Sequence, residues 1–323
     1  MGHAMIRVVA LPFQKAYPDE LKISVARIQA LIDTYRERER TGLIRLAHSP
    51  QQQVYLLFQR GQIINSYQAG DGPGEKLESW SEAVLNGGEA SARLVQLSPL
   101  ALQMCKLSIE SGGDGSRTVG AVELRTLVSR DWNQSAGLRL VHLSWDTAEG
   151  TLLYEGANAG THSIFFSAGR LEDEAGIAST FMLWSEAQCE VTTFTPDLQL
   201  TAWQEYYLRR IFAQVCDSLL PRYEEITGRA MVDSAIRSIA LLTSRQKHKI
   251  NLTTRQVVDQ EVFPTPAEAA DAYRPLLKTL IDQISSVIGQ KLSVSIIQEI
   301  LAGLSTDQRG LTEAFSLLHE NSK

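Results

Sequence analysis

The stretch Leu56-Leu57-Phe58-Gln59-Arg60-Gly61-Gln62-Ile63 decides how the chain is read. An apolar run ends at Phe58, Arg60-Gly61 supplies a tight turn in which glycine can take φ > 0, and Ile63 opens a second run. That is a β-hairpin. A counterpart follows at Ile164-Phe165-Phe166-Ser167-Ala168-Gly169-Arg170-Leu171, which sets Phe58 over Phe166 and Gly61 over Gly169. Working outward, Gly42-Leu43 matches Gly137-Leu138, and Ser98-Pro99 matches Thr195-Pro196 ahead of a helix. These landmarks predict an internal repeat of one α+β unit.

In the first copy, Ile23, Val25, Ile28, Leu31 and Ile32 recur at helical spacing, and the charged run Arg36–Arg40 carries that helix toward Gly42. Strands are expected at Leu43–Ala47, Val54–Phe58, Ile63–Tyr67 and Ala92–Leu97, with a helix over Lys76–Leu85 before Gly87-Gly88. Pro99 at a first helical position opens a helix to Ile109, and Ser111-Gly112-Gly113-Asp114-Gly115-Ser116 reads as a linker. The second copy offers a helix over Val122–Trp132 and strands at Leu138–Leu143 and His162–Phe166. Between its Gly-Leu and Phe-x-x-Gly landmarks it is thirteen residues longer, which reads as an inserted loop over Trp145–Gly160.

From Leu200 onward the pattern turns helical. Trp203, Tyr207, Leu208, Ile211, Phe212, Val215 and Leu219 mark one face of a long helix that Pro221 bends or ends. A second helix spans Arg229–Ser244, and Lys249–Phe263 reads as a short hairpin or an extended connector. Thr265 and Glu268 form a capping box for a helix that Pro275 should kink, and two further helices follow around Ile296–Leu304 and Leu311–Leu318. The fold class is therefore α+β: two related small α+β modules of helix plus antiparallel strands, followed by an all-α helical bundle. The domains are 1–115, 116–200 and 201–323.

Composition narrows the function. With 323 residues, 44% of them hydrophobic, the chain can bury more than one core. A net charge of −6, and an arginine cluster interleaved with Glu37 and Glu39, argue against nucleic acid as a partner. Three well-separated cysteines, Cys105, Cys189 and Cys216, read as reduced thiols, and no apolar run is long enough for a membrane span. With no targeting signal read, the expected location is the cytoplasm.

Chemistry is sparse. The six histidines lack metal-ligand spacing, although His142 and His162 flank strands of one unit and could meet across a sheet. Gly72-Pro73-Gly74-Glu75-Lys76 lacks the order of a phosphate loop, and Ser167-Ala168-Gly169 lacks the glycine of a nucleophile elbow. His248, between two lysines, reads as a solvated helix end rather than a phosphotransfer site. No catalytic, cofactor or metal residue is assigned. The candidate partner surface is Trp145, expected to be exposed near the inserted loop, with the acidic run Glu172, Asp173 and Glu174.

The helix, then Thr41-Gly42-Leu43-Ile44-Arg45-Leu46, then Val54 to Ile64 through Phe58 and Gly61, then Gly87-Gly88, resembles the PatA N-terminal (PATAN) domain. Gly137, Phe166, Gly169 and Leu171 fit in the second unit, so the resemblance spans about residues 25–200. It implies a non-enzymatic bacterial signalling module that docks other proteins: regulatory GTPases, their roadblock-type partners or motility ATPases. The leading expectation is an adaptor whose helical bundle binds a partner or self-associates as a homo-oligomer. The alternative is a small-ligand sensor or enzyme with a pocket between the two modules and Trp145–Gly160 as its lid.

Overall fold

The computed structural model describes residues 21–49, 52–69, 74–78, 90–127, 138–145, 148–155, 161–167, 170–173, 188–254 and 256–318. The chain divides into two compact units, Met1–Leu200 and Thr201–Lys323. The first is α+β and the second is dominated by helices.

In the first unit, β1 (Leu21–Ile23), α1 (Val25–Glu37), β2 (Gly42–Ser49), β3 (Gln52–Gln59), β4 (Gln62–Ala69), β5 (Glu75–Lys76), β6 (Ala90–Gln96) and α2 (Pro99–Ser111) come first. Then follow β7 (Ser116–Val119), α3 (Ala121–Thr126), β8 (Leu138–Ser144), β9 (Ala148–Glu155), β10 (Thr161–Ser167), β11 (Arg170–Asp173) and β12 (Cys189–Phe194). The first sheet has the order β1-β6-β2-β3-β4-β5, and the second β7-β12-β8-β9-β10-β11. Strand for strand these are one topology used twice. The cores match as well: Ile23 with Val119, Ile28 with Leu124, Ile44 with Val141, Leu56 with Leu152, and Ala92 with Val191.

That register corrects the sequence alignment by one strand. The partner of β3 is β9, so the core counterpart of Phe58 is Tyr154 and not Phe166. Gly61 turns β3 into β4, whereas Gly169, outside the described residues, lies between β10 and β11. Within the expected loop over Trp145–Gly160, Ala148–Glu155 is strand β9, paired with β8 and β10, so that stretch is sheet interior and not a lid, while 146–147 and 156–160 lie outside the described residues. The same strand separates His142 from His162, whose Cα partners on it are Thr151 and Leu153. Trp145, expected to be exposed, is 3% exposed and belongs to the second core.

Local chemistry explains the elements. In β3, Val54 through Phe58 are all buried, as in a strand covered on both faces. Val54, Leu56 and Phe58 join the α1 core, where the Phe58 and Tyr35 rings lie 5.1 Å apart, while α2 packs against β2 and β3. Gly61 sits at φ +77 under the end of α1, where a Cβ would fall 2.6 Å from the Arg36 carbonyl oxygen. Gly61→Ala should therefore cost at least the roughly 1–3 kcal/mol of a strained backbone, read as a lower urea midpoint.

Helix α2 starts as read, with the Ser98 hydroxyl accepting from the Ala101 N–H at 3.2 Å and Pro99 at the first position. It is buried on every side from Ala101 to Ser111 and also lies against β8. The expected linker after it is a pinned turn: Ser111, Gly112 and Gly113 are buried, and the Asp114 carboxylate accepts from the Thr195 N–H and hydroxyl. The expected helix at Lys76–Leu85 begins instead as strand β5, and residues 79–89, with Gly87 and Gly88, lie outside the described residues. Gly137 does too, as does the end of the helix expected at Val122–Trp132.

The second unit comprises α4 (Thr201–Thr227), α5 (Arg229–Gln246), β13 (Ile250–Leu252), β14 (Val257–Asp259), α6 (Pro266–Ile288), α7 (Gln290–Ala302) and α8 (Thr306–Ala314). The bundle is thus not all-α: Lys249–Phe263 takes the hairpin alternative. Pro221 and Pro275 both sit within continuous helices. The Thr265 hydroxyl accepts from the Glu268 N–H as read, and also donates to the Glu268 carboxylate.

Candidate functional site

Two buried polar clusters sit inside the units. On the inner side of the second sheet, His142 lies 3.2 Å from the Thr151 hydroxyl and 3.9 Å from the Glu149 carboxylate. Lys106 and Gln103 of α2 are fully buried, and the Tyr67 hydroxyl donates to Glu110 at 2.5 Å. In the second unit, Asp259 takes a hydrogen bond from the Tyr273 hydroxyl at 2.6 Å and pairs with Arg209 at 3.4 Å. Glu205 accepts from the Phe263 N–H and Glu261 from the Lys249 N–H, so both carboxylates hold the chain on either side of the hairpin. His248 is part-buried beside Glu261, with its ring edge-on to Phe263, rather than solvated. These contacts tie elements together.

Among the described residues, no group of three or more His, Cys, Asp or Glu side chains is placed to hold a metal ion. Burial pushes the Cys105 and Cys216 thiols up, so both stay protonated at neutral pH, and Cys189 is buried too. A thiol-reactive chromophore at mildly alkaline pH should therefore modify none of the three until the chain is denatured. Burial also holds the Tyr55 hydroxyl up at about 12 and Tyr273 well above 10. For a group whose folded value is raised, the stabilisation is complete below the unfolded value and disappears as pH rises through the folded one. Stability should fall from about pH 10 upward, and Tyr273→Phe should flatten that fall in a pH series of urea midpoints.

An open groove of about 240 Å³ lies beside α1 and the edge of the first sheet, lined by Ile23, Leu31, Ala92 and Leu94 with Arg27 at hand. The acidic run lies elsewhere: Glu172 and Asp173 are on β11, the edge strand of the second sheet, and Glu174 is outside the described residues. The expected surface is therefore not one patch, since Trp145 is a core side chain.

Among the described residues the exposed large apolar side chains are Val122 in the first unit and Ile226, Met231, Leu241, Val287, Leu292 and Val294 in the second, and five of these seven flank two helix junctions. Helices α4 and α5 meet at Gly228 (φ 83, ψ 164), and α6 and α7 meet at Gly289 (φ 88, ψ 150). Both glycines take a conformation that side chains with a Cβ essentially never adopt, so each joins two helices in the same sharp corner. Counting from each glycine, the buried positions coincide: Tyr223 and Ile284, Leu219 and Leu280, Ala235 and Ile296, Ile239 and Ile300. The cross-contacts coincide too. Arg222, six before Gly228, pairs with Glu299, ten after Gly289, and Gln283, six before Gly289, bonds Ser238, ten after Gly228. Phe212 and Tyr273, each sixteen before its glycine, stack on one another at 4.6 Å. Two equivalent helical hairpins thus face each other about a local pseudo-two-fold axis.

Both corners lie at the same end of this arrangement: the Phe212–Tyr273 stack sets the two incoming helices level sixteen residues before each glycine, and the Arg222–Glu299 and Gln283–Ser238 contacts keep each incoming helix beside the other hairpin's outgoing one. Each carries an apolar residue two before and three after its glycine: Ile226 and Met231, Val287 and Leu292. Together with Val294 these side chains are 36–49% exposed. Sequence reading missed the feature, although apolar-x-Gly-x-x-apolar occurs at both corners and was available to be seen. Replacing Gly289 by Ala meets open space, so the expected cost of roughly 1–3 kcal/mol comes from backbone strain alone and would appear in the thermal midpoint.

No protein-family model matches the chain, and no curated protein or solved structure is significantly similar to it. No helix among the described residues is long and apolar enough to cross a membrane.

Proposed function

We propose that the chain is a non-enzymatic adaptor that works by protein–protein contact, using the glycine-corner end of its helical unit as the docking surface. The observation that carries this reading is the exposure of Ile226, Met231, Val287, Leu292 and Val294 at one end of the unit. Apolar side chains grouped in this way cost solubility unless a partner covers them. The ionisable clusters support it as well, since the carboxylates of Asp259, Glu205 and Glu261 are spent on holding backbone and side chains in place.

The resemblance of residues 25–200 to the PATAN domain supports a role in bacterial signalling in the cytoplasm. On that resemblance the partner class is a regulatory GTPase with its roadblock-type companion, or a motility ATPase. The test is affinity capture by the full chain, run beside a Met231→Glu/Leu292→Glu variant, with mass spectrometry of what is retained. A protein held by the native chain and lost by the variant is the expected result. Identical capture by both, together with a thermal shift of the native chain on adding a metabolite, would overturn the adaptor reading in favour of a ligand sensor.

A further inference from the structure

The two corners differ in one respect: their charge. Within five residues of Gly228 stand Glu224, Glu225 and Asp233 against a single Arg229, a net acidic corner. Within five residues of Gly289 the only charged side chain is Lys291, with Ser285, Ser286, Gln290 and Val294 where the first corner has Glu224, Glu225, Arg229 and Asp233. Glu225, Arg229 and Lys291 are exposed, and Asp233 is partly so. One end of the unit therefore presents two apolar corners of like shape and opposite sign.

A surface of that kind is its own complement. Turn a second copy over about a two-fold axis perpendicular to the local pseudo-axis, and its basic corner meets the acidic corner of the first, twice. Each Lys291 then faces a Glu224–Glu225 pair while Met231 and Ile226 pack against Leu292 and Val287. Isologous contact of this sort closes with two subunits and leaves no complementary surface free to extend a chain. An arbitrary partner would have to match both the apolar spacing and the alternation of sign, which a second copy does by construction. We infer that the glycine-corner end is a homodimer interface in which the Gly228 corner of each copy docks on the Gly289 corner of the other. This rests on the docking reading above and takes a second copy, in place of the GTPase or ATPase suggested by the resemblance, as the occupant of this end.

The experiment is sedimentation equilibrium on the full chain over a wide concentration range, at low and at raised salt. The native chain should be a dimer that weakens as salt rises, because its charged contacts are at an exposed rim. Met231→Glu/Leu292→Glu should be monomeric with an unchanged circular dichroism spectrum and the thermal midpoint that the native chain shows when diluted to monomer, since both side chains are exposed in the single chain. Lys291→Glu should weaken association about tenfold, and adding Glu225→Lys in the same chain should restore it to within about threefold. A native chain that stays monomeric throughout overturns the inference, as does a dimer indifferent to the Met231→Glu/Leu292→Glu change or a charge swap that fails to rescue. The docking reading fails separately. A monomer that still loses a captured protein on Met231→Glu/Leu292→Glu overturns only the second copy as partner, whereas a monomer whose capture ignores those changes overturns both.

Discussion

Asp259→Ala should cost the helical unit roughly 3–5 kcal/mol, the range found when one partner of a buried ion pair is removed. The Asp259 carboxylate is 5% exposed and Arg209 12% exposed. One carboxylate oxygen takes the Tyr273 hydroxyl and the Arg209 guanidinium, and the other takes the Glu261 N–H at 2.8 Å. Arg209 also donates to the Asp259 backbone carbonyl. Alanine would leave that guanidinium buried without its carboxylate, strip Tyr273 of its acceptor, and release the end of the β13–β14 hairpin from α4. Against a domain stability of about 5–15 kcal/mol this is a large fraction. Tyr273→Phe, which leaves the ion pair intact, should cost only about 1–2 kcal/mol. Urea unfolding with hydrogen exchange of peptides from β13 and β14 separates the two: fast exchange there and a much lower midpoint are expected for Asp259→Ala alone. A loss below about 1 kcal/mol would mean that water solvates the site and the network holds little.

None of that network was legible in the sequence. Arg209 and Asp259 are fifty residues apart, one on a helix and one at a strand end, and neither type announces burial. The elements around them were legible because they obey local rules. Thr265 and Glu268 cap α6, Ser98 and Pro99 start α2, and strands β2 to β4 fall where apolar residues and the Arg60-Gly61 turn put them. Each of these depends on residues within a few positions of one another, and spacing alone carries that information.

The repeat was legible in kind and misread in register, for a physical reason. A bulky strand end followed by a glycine turn is demanded by every tight hairpin, so Phe-x-x-Gly marks a turn without saying which one. In a four-strand run of consecutive hairpins it can be matched one turn late, and β9 then appears as surplus chain. That strand also hides itself: Glu149, Gly150 and Thr151 look like a loop, yet Glu149 and Thr151 are buried opposite Ser144 and His142. The candidate docking surface escaped for the opposite reason. Its side chains are ordinary apolar residues on amphipathic helices, and they become unusual only once Gly228 and Gly289 are seen to bring them to the same end.

Trp145→Ala is where the two ways of reading this chain part most sharply. Were the indole on an exposed loop available to a partner, its removal would leave stability within about 0.5 kcal/mol. The structure instead seats it directly after β8, 3% exposed, in one core with Leu124, Leu127, Val141, Leu143, Leu152 and Tyr154. Truncating an aromatic of that size in a core opens a cavity that β8 and α3 cannot close without losing their own contacts, at a cost of roughly 3–5 kcal/mol. The loss should fall on the first unit and leave α4 to α8 to unfold at their usual midpoint, since those elements form a separate compact unit. Hydrogen exchange resolves this, with β8, β9 and β12 peptides opening early in the variant. Trp145→Phe keeps most of the buried volume and should recover more than half of the loss. Unchanged exchange in β8 and β9 after Trp145→Ala would show that the indole is not packed in that core, and would return it to the surface for which the sequence alone made it a candidate.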